Sequence, residues 1–291
     1  MMGIIYAILA GLFISVRSVL EKHILKQVDE FALAWCLRFF GTFFIGLFIL
    51  FSGYDPSLYS EAFWGVLILG GVLNTVSVVL VLKALKVTDL SLLAPISTVT
   101  PIFVLITAPF IVGEIPTVGG LIGVFCIVGG AYTLNIKERK KGYLAPFRAL
   151  VNNKGIWYMM GAVLAWSIGS SVTKIGVEAS SPLLWAGSVQ LLSFSILTPL
   201  VIWRGKYLVR GTISKKGLLL LPVMGVVAAS ATILYVYAIS MILVVYASSL
   251  KKLNVIFEVI FGRVIFREHG FKERLIGVLI MLLGGVLITF S

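Results

Sequence analysis

Ten apolar runs follow one another along this chain, each long enough to cross a bilayer as a helix and each separated from the next by a short polar break. About 18 or more apolar residues span a hydrocarbon core of ~30 Å, and a helix satisfies its own backbone where no water can. Breaks such as "KQVDE", "SGYDPSLYSE", "KVTD", "GEIPT" and "VEASSP" place the runs at 3–20, 31–52, 62–83, 90–112, 117–135, 156–174, 182–203, 217–239, 243–264 and 272–290. The expected fold is therefore an all-α membrane protein with ten transmembrane helices. The short alternating segments of a barrel are absent. The opening "MMGIIYAILAGLFISV" lacks a basic leader region and is expected to be the first span rather than a cleaved signal.

A net charge of +12 raises the question of nucleic acid. Only 12% of the residues are charged, however, against about 25% in soluble domains. The cations sit in short loops between apolar runs, as in cytoplasmic loops of membrane proteins. The bilayer is the expected partner and nucleic acid is not. Cys36 and Cys126 lie inside apolar runs, and His23 and His269 lie at run edges. With no metal-ligand cluster, nucleophile elbow or phosphate-cradling loop, neither a metal, a cofactor nor an enzymatic activity is expected.

The longest interruption, "KERKKGYLAPFRALVNNK", divides the runs five and five. Sliding the second half back by 152 residues puts Tyr158 on Tyr6, Lys174 on Lys22, Ala186 on Ala34 and Gln190 on Arg38. A shift of 154 puts Ala238 on Ala84, Glu268 on Glu114, Gly277 on Gly123 and Gly284 on Gly130. These registers predict a duplicated unit: a first repeat at 1–136, a basic linker at 137–154 and a second repeat at 155–291. Five is odd, so tandem copies must run in opposite directions. Nineteen of the 24 Lys and Arg fall after runs 1, 3, 5, 7 and 9, against Lys174 alone on the other side. The positive-inside rule then puts those loops in the cytoplasm and both termini on the non-cytoplasmic side of the cell membrane. Inverted repeats around a central cavity are the architecture of secondary transporters.

Four cations remain: Arg17, Arg38, Lys251 and Lys252. Arg17 is within a turn of the cytoplasmic end of its run and is expected to snorkel to the headgroups. The other three are deeper, and each central Lys or Arg opposes insertion by about 2.5–3.5 kcal/mol. Such residues persist where they face water or an anion. Lys251, Asn254 and Glu258 share one helical face at i, i+3 and i+7, with Lys252 about 100° round from Lys251. A purely structural network competes with this reading, since Glu258 could neutralise Arg38 or a lysine. One carboxylate cannot balance three cations, though, so an anionic substrate group between Lys251, Lys252 and Arg38 is expected. Glu258 is left as either salt-bridge partner or proton-coupling site. Gln190, the repeat partner of Arg38, and Tyr235 join Asn254 as expected orienting residues. Asn74, Ser170 and Ser193 are expected to be interhelical glue, and Pro95 and Pro101 to bend span 4.

The stretch "ALKVTDLSLLAPISTVTPIFVLITAPFIVGEIPTVGGLIGVFCIVGGAYTLN", together with "WSIGSSVTK", resembles the drug/metabolite transporters of the EamA type. The resemblance covers all ten runs and implies two inverted five-helix halves, a central cavity and alternating access. "SSLKKLNVIFEVIFGRVIFRE" departs from the bacterial pattern and looks more like the ninth helix of nucleotide-sugar and plastid phosphate translocators. There a basic pair contacts substrate phosphate, which by resemblance assigns that role to Lys251 and Lys252. The first run has no acidic residue of the kind small multidrug resistance proteins use for cations.

Three functions compete on this footing. The leading one is secondary transport of a small organic anion, of which a phosphorylated metabolite is one form. The second is export of amino acids or other zwitterions, and the third is flipping of a polyprenyl-phosphate-type lipid. A homodimer is left open.

Overall fold

The computed structural model describes residues 1–24, 30–51, 62–88, 93, 96–135, 153–204, 215–264 and 271–291. Most of the basic linker 137–154, Pro95, His269 and nine of the 19 loop cations lie outside the described residues, as do the side chains of His23 and of most of the other loop cations, Lys22 among them. Among the described residues there are eleven helices: α1 Met2–Ile24, α2 Glu30–Phe51, α3 Ala62–Val87, α4 Thr100–Ile111 and α5 Val118–Asn135, followed by α6 Lys154–Glu178, α7 Pro182–Arg204, α8 Lys215–Met241, α9 Val244–Lys251, α10 Asn254–Val264 and α11 Phe271–Thr289. Six of them, α1, α2, α3, α6, α7 and α8, contain stretches long and apolar enough to cross a membrane.

Several helices overrun the apolar stretches from which they were expected. α6 starts at Lys154 rather than 156 because Asn153 caps it, its side chain accepting from Gly155 N at 2.9 Å. Thr88 Oγ1 donates to the same Asn153 oxygen, tying the end of α3 to the start of α6. Span 4 differs more: its long helix begins only at Thr100, with Pro101 in the first turn, where a missing N–H costs no hydrogen bond. It ends at Ile111 and is followed by Gly113, whose φ of 70° is the left-handed conformation that lets the chain turn sharply into Glu114. The ninth run, expected as one helix over 243–264, is two helices, α9 and α10, parted at Lys252 and Leu253.

Packing follows the small residues. α6 is the most enclosed of the six long spans, with 56% of its apolar window buried against 17% for α2. α3 packs on α6, α1 on α8, α2 on α7 and α5 on α11. Between α5 and α11, a Cβ on Gly123 would stand 2.7 Å from Gly284 O, and one on Gly130 would stand 2.7 Å from Gly277 O. Only glycine allows that approach, and the two pairings run the helices antiparallel. Large side chains such as Phe43, Phe48, Leu50 and Ile202 are exposed on the outside of the bundle, as a lipid-facing surface requires.

Candidate functional site

The site begins with the break in the ninth run. Nothing local forces it, because 250–255 holds neither glycine nor proline. It is made by α1. Gly11 lies against Lys251 O and Asn254 N so closely that a Cβ would fall 2.8 Å from the carbonyl oxygen. One turn on, Ser15 Oγ donates to Asn254 O at 2.8 Å. Across the break the backbone tightens to i→i+3 bonds: Lys252 N to Ser249 O at 2.9 Å, Leu253 N to Leu250 O at 3.0 Å and Val255 N to Lys252 O at 3.2 Å. The two lysines thus stand where the C-terminal end of α9 meets the N-terminal end of α10. Lys251 occupies the last turn of α9, where the helix dipole favours a cation.

Both lysines line a cavity of about 310 Å³ at the centre of the bundle. Arg38, Gln190, Tyr235 and Asn254 line it too, so six of the seven residues singled out from the sequence share one space. Arg38 is held at both ends of its fork, with Nη1 donating to Gln190 Oε1 at 2.5 Å and Nη2 to Asn74 Oδ1 at 2.8 Å. Ser193 Oγ donates to the same Asn74 oxygen at 3.2 Å. Among the described residues no carboxylate pairs with Arg38. The Lys251 ammonium rests over the Tyr235 ring, 3.4 Å from its centroid. The Tyr235 hydroxyl lies 3.1 Å from Ser170 Oγ.

Glu258 is the exception, since it does not line the cavity. Its Oε1 accepts from Asn254 Nδ2 at 3.0 Å, so the shared helical face expected from the spacing ends in a hydrogen bond that turns the carboxylate aside. It does not reach Arg38, and it acts on Lys252 only electrostatically, beyond ion-pair distance. Gln190 also differs from expectation, because its carbonyl oxygen is engaged by Arg38.

Among the lining residues that were not candidates, three shape the site. Arg17, expected to snorkel, borders the cavity with its Nε 3.2 Å from Glu21 Oε1. Its one signal in the sequence was the i, i+4 pairing with Glu21. Asn74 was classed as glue, whereas it positions Arg38. Trp166 was part of a quoted motif without a role, and it lines the cavity on α6.

A second polar cluster lies beside the cavity wall. Lys174, next to the lining residue Thr173, pairs with Glu114 at 3.3 Å and donates to Ile239 O at 3.0 Å. The other Glu114 oxygen accepts from Val244 N at 2.6 Å, capping α9. The sharp turn at Gly113 is what delivers Glu114 to these partners.

No curated protein matches the chain in sequence. A solved structure described as "Crystal structure of protein" shares the fold, with a TM-score of 0.80 over 99% of this chain and 95% of that one at 14% identity. The model of the EamA-like transporter family matches residues 1–136 and again 153–290. Matched over nearly all its length, this multi-pass membrane protein belongs to the EamA-like transporter family.

Proposed function

We propose that this protein is a secondary transporter that carries a small organic anion across a cell membrane by alternating access between two inverted five-helix halves. The carrying observation is the central cavity lined by Arg38, Lys251, Lys252 and Arg17, with no Asp or Glu of the described residues on its wall. Arg17 has Glu21 as its partner, but Arg38, Lys251 and Lys252 have no carboxylate in ion-pair contact among the described residues. Such cations oppose insertion, and a bound anion offsets that cost. Arg38 presents a fork already aligned by two amide oxygens, which suits an oxyanion. Lys251 and Lys252 add point charges where α9 meets α10.

The inverted halves are supported by the antiparallel α5–α11 seam. Gly123 meets Gly284 and Gly130 meets Gly277, while the repeat register equates Gly123 with Gly277 and Gly130 with Gly284. That exchange of partners is what a two-fold axis in the membrane plane generates. Loop charge favours cytoplasmic loops after the odd-numbered spans, both termini outside and ten spans, with α9 and α10 together forming the ninth.

Proteoliposome uptake tests the charge selectivity. Labelled organic acids should enter, and their esters or amides of equal size should neither enter nor compete. Uptake of the neutral analogues at the rate of the acids would reject an anion carrier.

A further inference from the structure

Resting on the anion-carrier reading, we propose that the substrate is an aromatic acid without an ammonium group, its ring lying against Trp166 and its acid group among Arg38, Lys251 and Lys252. A zwitterion needs a partner for its positive end, and none of the described carboxylates lines the cavity. Glu21 faces Arg17, Glu114 faces Lys174, and Glu258 takes the Asn254 amide. The ring best placed to meet a cation, Tyr235, already carries Lys251. An ammonium would enter a cationic space with nothing to receive it.

A sugar phosphate is also poorly matched. Among the described residues, four of the six neutral hydroxyls on the wall donate to backbone carbonyls three or four residues earlier: Ser170 to Trp166 O, Thr173 to Gly169 O, Thr232 to Ala228 O and Thr100 to Ser97 O. A polyol would lose water and find few free donors to replace it. The remaining wall is largely apolar instead, with Trp166, Leu73 and Val189 beside small residues. On α6, Trp166 stands one turn from Gly169, where an added Cβ would meet only Leu73 Cβ at 3.9 Å. Across from it Ala228 and Ala231 keep the space open. Trp185 contributes no free face, since its ring is packed on Gly70 and Gly176. A volume of about 310 Å³ is at the lower end of small-molecule sites and holds a one- or two-ring acid.

Equilibrium binding to the purified full-length protein in nanodiscs, with four named compounds, provides the test. Indole-3-propionate and tryptophan differ only by the ammonium, and glucose 6-phosphate is an anion without a ring system. Indole-3-propionate should bind about tenfold or more tighter than either. Trp166→Ala should weaken indole-3-propionate about tenfold and leave hexanoate unchanged, while Trp166→Phe retains most of the affinity. Tryptophan binding as tightly as indole-3-propionate would overturn the proposal, because the ammonium would then have a partner. Preference for glucose 6-phosphate, or no loss on Trp166→Ala in a variant that remains folded, would overturn the aromatic body while leaving the anion reading in place. Failure of all the acids to bind would overturn both.

Discussion

Arg38 owes its orientation to Gln190 and Asn74, and this separates residues that touch the substrate from residues that aim those that do. Replacing Asn74 by Leu removes one charged hydrogen bond and frees the guanidinium. The concentration for half-maximal uptake should rise on the order of tenfold or more, since such bonds contribute about 1.5–3 kcal/mol. Arg38→Lys should not restore function, because an ammonium cannot bridge two amides in one plane. Changing Lys251 and Lys252 to Gln should raise the melting temperature of the empty protein, since two desolvated charges lacking ion-pair partners are removed. A lower melting temperature would favour a structural network instead. The repeat register equated Gln190 with Arg38, but their hydrogen bond was not expected from it. The roles of Asn74 and Arg17 were not legible either. A lone Asn in an apolar run is usually interhelical glue, and a cation near a helix end usually reaches for headgroups. Only the convergence of α1, α2 and α3 on one space gives these two a different job.

At the scale of elements, two short features carry most of the consequence. The parting of α9 from α10 left no trace in local composition, because its cause lies on α1, some 240 positions earlier in the chain. Gly11→Val should push α1 off the break and destabilise the protein by about 1–3 kcal/mol, read as a fall in melting temperature. The turn after α4 behaves differently. Its "GE" pair was visible as punctuation, but the role of Glu114 as cap for α9 and partner of Lys174 needed the fold. Glu114→Ala leaves Val244 N without its acceptor and should cost about 1–3 kcal/mol. Glu114→Gln should recover the cap but not the ion pair, giving an intermediate melting temperature.

For the whole molecule, the all-helical membrane fold and its division into two repeats could be read from hydropathy and the repeat register, since the bilayer imposes length and backbone satisfaction on any span. Helix ends were less legible, as caps such as Asn153 extend helices beyond the apolar stretch. The glycine seam between α5 and α11 joins the two halves at their last helices. Gly123→Val should therefore lower thermal stability far more than Gly129→Val, because no atom lies within 4 Å of a Cβ at Gly129. The central claim is that the cationic cavity between these halves receives an anion. Its most direct measurement is the binding isotherm of an organic acid with the wild-type protein and with the Lys251→Gln, Lys252→Gln double variant. Affinity should fall on the order of 100-fold or more in the folded variant, as loss of two charged contacts implies. An unchanged isotherm would contradict the account.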